Sequence, residues 1–370
     1  MNKKLVAVAI AGLLAAPLAS AQTANVTLYG RLNLSIEGVK GRQVDNTNPT
    51  VFRVTSNSSR FGIRGSEGIG NGVNVIFQVE NSITADNSGG AIAGRDTFLG
   101  VQGAFGTARL GRFHAPYDDI HGIFGNSSTA LTSILGTATM WANGVGDQAV
   151  GGGGSQVNGS FDDRYANSIR YDTPNFAGFT GHAQYSALEN NRPGRTNAGA
   201  WQVAGFYNNG PIQAGLAYAK HSEVRADNLD DQALSIAGQY NFGMFKVGAV
   251  YEMLKYETPT GDLERDFWAI STHVNLGPGV FYAYYGQALD GKGGAANGTR
   301  VGGIVKGTDT SAKQWQVSYM YPISKRTQVY AGYTEIRNEP GAWYSFNTGA
   351  YAVAQGAKPL GFIAGAIHNF

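Results

Sequence analysis

Asn25-Val26-Thr27-Leu28-Tyr29-Gly30-Arg31-Leu32-Asn33-Leu34-Ser35-Ile36-Glu37 decides how this chain is read. Val26, Leu28, Gly30, Leu32, Leu34 and Ile36 share one face of an extended chain. Asn25, Thr27, Tyr29, Arg31, Asn33, Ser35 and Glu37 share the other. Successive side chains of a strand point to opposite faces, so this period of two predicts a β-strand. The run exceeds the mean globular strand of about five or six residues. It suffices for a tilted strand that crosses a bilayer, which takes about 9–11. In a sandwich the polar row would meet bulk water. In a closed barrel it faces an aqueous lumen, with Arg31 and Glu37 in it.

The same rhythm recurs along the chain. Strands are expected near residues 50–65, 73–80, 95–103, 106–112, 164–171, 179–187, 198–208, 211–223, 232–241, 245–257, 265–276, 279–289, 313–321, 327–337 and 360–370. With the first, that makes an all-β chain of 16 strands. The run from Gly65 to Gly72 reads as a tight turn; it lacks the lysine of a phosphate-binding loop. Short joins alternate with longer polar loops (187–197, 224–231, 258–264, 290–312 and 338–356), the layout of a transmembrane barrel. Tyr29, Tyr207, Tyr218, Tyr240, Tyr256, Trp268, Tyr319, Tyr321, Tyr330 and Tyr333 fall near strand ends, where a membrane boundary favours amphipathic rings. Residues 113–163 break the rhythm. Long loops are uncommon unless they have a job, and this insertion is expected to fold into the framework and narrow a hole.

Met1-Asn2-Lys3-Lys4, the apolar run Leu5 to Leu18, and Ala19-Ser20-Ala21 read as a secretory leader over residues 1–21, so the framework occupies 22–370. Without Lys3 and Lys4 the 28 basic residues become 26, equal to the 26 acidic ones. That balance argues against a nucleic-acid partner. There is no Cys, and charged residues make up 15%, below the usual quarter or so. Lipid forces a sheet to close, because open edges leave backbone groups unpaired. A Gly- and Tyr-rich chain of low charge fits that solution in an outer membrane.

Catalysis finds little footing. None of the six His lies in a His-Glu-x-x-His pattern, and no Gly-x-Ser-x-Gly elbow is present. No cofactor or metal motif stands out. His182 near Ser186 is the one suggestive pair for a hydrolase. An adhesive or receptor barrel is a further reading, with loops 290–312 (Lys292, Arg300, Lys306) and 338–356 (Trp343, Tyr344) as the working parts.

Several separated motifs carry a resemblance. They are Val26-Thr27-Leu28-Tyr29-Gly30; Ser59-Arg60-Phe61-Gly62-Ile63-Arg64-Gly65-Ser66-Glu67; and Leu110-Gly111-Arg112 with Pro116 and Tyr117-Asp118. Further along come Arg164, Asn167-Ser168, Tyr171 and Pro174; Ser324-Lys325-Arg326-Thr327 with Tyr330; and His368-Asn369-Phe370. Over almost the whole chain the sequence resembles the general trimeric porins of Gram-negative bacteria, of the β-proteobacterial and neisserial type. The resemblance implies a homotrimer embedded in outer-membrane lipid. It also implies a third loop folded inward, and a terminal Phe370 that signals to the outer-membrane assembly machinery. Gly30, Gly62 and Gly100 are small positions suited to packing between barrel walls. Asn33, Gly68, Asn74 and Ile367 depart from the family pattern, and they bear on pore charge.

The expected function is a passive, water-filled channel for inorganic ions and small hydrophilic solutes. Arg31, Arg60, Arg64 and Arg112 supply a basic wall. Asp118, Asp119 and Glu37 supply the acidic side, with Asp147, Asp162 and Asp163 as weaker candidates. Mixed charge at a constriction selects by sign and size. Four arginines within the first 112 residues predict a weak anion preference.

Overall fold

Alternation builds a single wall. A computed structural model describes residues 25–45, 47–124, 133–138, 140–143, 160–187, 198–223, 228–346 and 353–370. The expected leader, Asp147 and nearly all of loop 187–197 lie outside the described residues.

Sixteen antiparallel strands follow one another. They are β1 (Asn25–Lys40), β2 (Val51–Ser56 continued by Arg60–Gly70), β3 (Val73–Ile83), β4 (Gly90–Ala91 continued by Thr97–Gly103), β5 (Gly106–His114), β6 (Arg164–Asp172), β7 (Phe179–Ala187) and β8 (Gly199–Asn209). Then come β9 (Ile212–Ser222), β10 (Asp230–Asn241), β11 (Phe245–Thr258), β12 (Gly261–Leu276), β13 (Gly279–Ala288), β14 (Ala312–Pro322), β15 (Thr327–Asn338) and β16 (Leu360–Asn369). Each pairs with the next, and β1 pairs with β16 from Arg31↔Asn369 to Lys40↔Leu360, so the sheet closes on itself. The two halves of β2 face one partner, β1. Between them the Ser59 hydroxyl accepts from Asn33 N (3.0 Å) and donates to Asn33 O (3.2 Å), which carries the ladder across the break.

Burial is inverted relative to a water-soluble sheet. Leu28, Ile36, Leu99, Leu110, Ile169, Leu216 and Ile236 are exposed, each by half or more. Asn33, Ser35, Glu37, Gln184, Gln202, Ser235, Glu252, Arg265 and Gln314 on the alternate row are buried. An apolar outer face on a closed sheet suits lipid, and a polar inner face suits a lumen. Aromatic rings mark both ends of the wall. Phe179–Tyr207 and Tyr240–Phe242 pair near the short turns, and Tyr185–Trp201, Trp268–Tyr285 and Trp315–Tyr333 pair near the longer loops.

Several expectations are corrected. Strand β2 runs on to Gly70, and the turn is only Asn71-Gly72, both at positive φ. The expected loop 258–264 is a tight turn, because Thr258 pairs with Gly261. Tyr29, Tyr256 and Tyr330 leave the boundary and turn to the polar row: their hydroxyls meet Glu80, Asn143 and Asn33. Burying the hydroxyl with a partner outweighs the boundary preference. Of the three small positions, Gly30 alone sits on the apolar row. Gly62 lies beneath the Tyr29 ring and Gly100 beside Arg109, so both serve the polar face.

Gly30 is itself covered. The terminal ring of Phe370 lies where a Cβ would sit, 2.1–2.8 Å away, and Gly30 and Phe370 exchange two backbone hydrogen bonds (2.9 and 3.0 Å). Gly30→Ala is therefore expected to destabilise the folded barrel by about 1–3 kcal/mol, the cost of overpacking. Combining it with Phe370→Ala should recover part of that loss. Denaturant unfolding of the protein in detergent micelles measures both.

Candidate functional site

The insertion begins where β5 ends. Pro116–Asp119 and His121–Phe124 form two short helical turns. Proline at the first position fits, since its missing N–H would have no partner there. Tyr117, Ile120, Ile134, Leu135, Met140, Trp141, Ala142 and Phe161 are all fully buried.

What buries them is the polar row of distant strands. Glu252 on β11 and Arg265 on β12 form a fully buried ion pair at 2.6 Å. Glu252 also accepts from the Tyr117 hydroxyl (2.7 Å) and from Ala142 N (2.9 and 3.0 Å). Arg265 donates to Met140 O. Trp141 donates to Ser235 Oγ on β10 (3.1 Å), and Gln314 on β14 donates to Gly136 O (3.0 Å). Tyr117 N donates to Gln202 Oε1 on β8 (3.2 Å). Asn143 donates to the Tyr256 hydroxyl (3.1 Å) and to Val301 O (3.2 Å), and Gly303 N donates back to it (3.1 Å). Burial and the Glu252 carboxylate push the Tyr117 hydroxyl well above its ordinary pKa, so it stays a donor.

The charged side chains gather on β1 to β7 and at the start of the insertion. Arg31 lies opposite Arg60 in the ladder, and Arg64 stands over the Tyr29 ring at 5.0 Å. Glu80 takes Arg60 (3.5 Å) and Arg95 (2.6 Å), and it accepts from the Tyr29 hydroxyl (3.0 Å). Asp96 takes Arg164 (2.6 Å) and His114 (3.5 Å). Asp172 pairs with Arg170 (2.8 Å) and with Arg109. Asp119 meets the Arg170 guanidinium and His182 Nδ1 (2.7 Å). Its burial would raise the carboxyl, but those two partners hold it below the ordinary carboxylate range. Asp118 is 3.9 Å from His114.

Arg31, Arg60, Arg64, Asp118 and Asp119 thus lie in or beside one charged lattice, whereas Glu37 sits at the far end of β1. There Arg53 binds Glu37 through two nitrogens (2.8 and 2.9 Å). Arg112 pairs with Thr97 in the row of Leu99 and Leu110, where the ladder to β6 shifts register between Gly111 and Phe113. The sequence reading missed Arg53, Arg95, Arg109, Arg164 and Arg170. The last four are on or beside strands whose alternation was legible, so counting polar-row arginines would have found them. Ser186 bonds to Ser168 (2.6 Å) while His182 turns to Asp119, so the suggestive hydrolase pair is not assembled.

Comparisons agree with this geometry. A family model described as Gram-negative porin matches residues 6–341. The chain is 27% identical to outer membrane porin protein 32 of Delftia acidovorans over the full length of both. It is 30% identical to the major outer membrane protein P.IB of Neisseria meningitidis serogroup B over 61% of each chain. Among solved structures, an anion-selective porin from Comamonas acidovorans superposes with a TM-score of 0.76 at 24% identity, over 94% of this chain and all of that one. OmpT of Vibrio cholerae superposes at 0.68 and 15% identity, over 96% of this chain and all of that one.

Removing one member of a buried ion pair leaves the other charge unpaired, which typically costs about 3–5 kcal/mol. Arg265→Met should therefore destabilise the protein by about that amount and speed proteolysis within 113–163. Adding Glu252→Gln should give back part of the stability. Unfolding midpoints and mapped cleavage sites check the pair of variants.

Proposed function

The chain belongs to the Gram-negative porin family, and from that premise we propose that residues 113–163 lie inside the barrel as the constriction of a passive, anion-preferring channel. As a member of that family it is an outer-membrane transport protein of a Gram-negative bacterium, not an enzyme. A barrel of sixteen strands leaves room for an aqueous channel.

One observation carries the constriction. The insertion spends its hydrogen bonds on Gln202, Ser235, Glu252, Arg265 and Gln314, all on the buried polar row and far along the chain from its own strand ends. A loop lying over the outer rim would not reach that row. The insertion sets Asp119 against Arg170 and His182 of the adjoining strands and Asp118 near His114, beside the arginine lattice.

Charge supports the sign. Arg60, Arg95, Arg109, Arg164 and Arg170 pair with Glu80, Asp96, Asp119 and Asp172, while Arg31 lies opposite Arg60 and Arg64 over Tyr29, a surplus of arginine that supports a positive lattice. Guanidinium keeps its charge at any working pH, and a low-dielectric wall focuses the field. Charges on distant loops are screened beyond about 8–10 Å. The Comamonas porin is described as anion-selective, in line with the same preference here. Arg112 adds little to this account, since its row is that of Leu110. A homotrimer, and recognition of Phe370 by the assembly machinery, follow from the family and complete the proposal.

Planar-bilayer reversal potentials in a KCl gradient should give a chloride-to-potassium permeability ratio above one. Arg60→Ser with Arg64→Ser should lower it roughly two- to threefold, the change expected when the local potential falls by about half a kT, because chloride and potassium respond with opposite sign. A wild-type ratio below one, or no change in the variant, would sink the arginine-wall account.

Crosslinking in mild detergent should yield a three-subunit species. A ladder that stops at the monomer contradicts the trimer.

A further inference from the structure

We propose that Asp118, His121 and Asp162 form a binding site for one divalent transition-metal ion of the zinc class. Their ligand atoms lie within 4.8 Å of one another. His121 is 3% exposed, and neither ring nitrogen has a hydrogen-bond partner among the described residues. A buried imidazole left without a partner costs free energy that folding normally avoids. This ring is nevertheless held in place. It stacks on Trp141 with centroids 3.9 Å apart and planes at 26°, and Trp141 is itself tied to Ser235. The ring is positioned, and its lone pair is unspent.

The donor set indicates the ion. His121 offers a buried ring nitrogen that has no hydrogen-bond partner among the described residues. Asp162 accepts from the Ser160 hydroxyl at one carboxylate oxygen, which leaves the other oxygen for a cation. Among the described residues, the Asp118 carboxylate has the distant His114 contact. One nitrogen and two carboxylate oxygens suit zinc, cobalt, nickel or copper, with water completing the shell. Calcium takes six to eight oxygens and magnesium a near-ideal octahedron. Tetrahedral bonds of about 2.1 Å need ligand atoms about 3.4 Å apart, a closure within reach of side-chain rotation. Asp118 and His121 sit three residues apart across adjacent helical turns, while Asp162 comes from the far end of the insertion. A bound ion would join the two ends of the insertion. Its added positive charge would raise anion preference, a consequence that rests on the constriction proposed above.

The test uses the full chain, purified and stripped with chelator. Titration with Co²⁺ should give visible ligand-field bands that Zn²⁺ abolishes, and calorimetry should give one Zn²⁺ per chain. His121→Phe keeps the ring stack and removes the nitrogen; Asp162→Asn keeps the shape. Each should weaken Zn²⁺ binding at least about tenfold. Asp118→Asn, at a half-exposed position, serves if either variant misfolds and should weaken it as much. His368→Gln, on the outer wall, should change nothing. Absence of one-per-chain binding overturns the site. So does wild-type affinity in these ligand variants, or Ca²⁺ binding as tightly as Zn²⁺. If Zn²⁺ binds but leaves the wild-type permeability ratio unmoved, the site stands and the constriction reading falls.

Discussion

Every backbone N–H and C=O that faces hydrocarbon must find a partner inside the protein, and the rest of this structure follows from that constraint. A sheet meets it only by closing. The last strand therefore pairs with the first over ten rungs, and the terminal residue extends the ladder onto Gly30. Closure fixes which row is inside. Once the apolar row faces lipid, the alternate row has to be filled or solvated, and it holds most of the buried polar side chains.

The described residues of the insertion engage that polar row. Glu252 and Arg265 are fully buried, and the cost of taking their charges out of water has to be offset by partners. Together with Tyr117, Ala142 and Met140 they form a network in which most of the hydrogen-bonding capacity is used. The carboxylates of Asp118 and Asp119 stand on the near side, close to the arginine lattice. Tyr117, Ile120, Trp141 and Phe161 are thus fixed by full burial, while Asp118 and Asp119, next to Tyr117 in the chain, carry charge. Rigid anchoring and charge display fall to different residues of the same segment.

The strand rhythm was legible because period two survives in a single sequence without any knowledge of partners. Strand existence followed from it throughout, and the errors came at ends, where Ser66 to Gly70 stayed extended despite three glycines nearby. Individual side-chain roles were harder to read. Tyr29 looks like a boundary ring until its neighbour Glu80, fifty-one residues away, is known. Glu252 and Arg265 look like ordinary polar-row residues, and nothing local marks them as an anchor. Arg112 has the parity of Leu110, so alternation alone would have put it on the apolar row. The Asp118, His121 and Asp162 grouping has no motif spacing, since its members meet only once both ends of the insertion are in place.

The hydrogen-bonding anchors named above for the described part of the insertion come later in the chain than the insertion itself. Gln202 lies 85 residues beyond Tyr117, and Gln314 lies 178 residues beyond Gly136. The segment therefore has nothing to dock onto until the second half of the wall exists. Such long-range pairing pays its loop-closure entropy before any contact rewards it. Seating of the insertion is consequently a late event in assembly, tied to the completion of β14, and a barrel stalled before that strand would have a wide mouth.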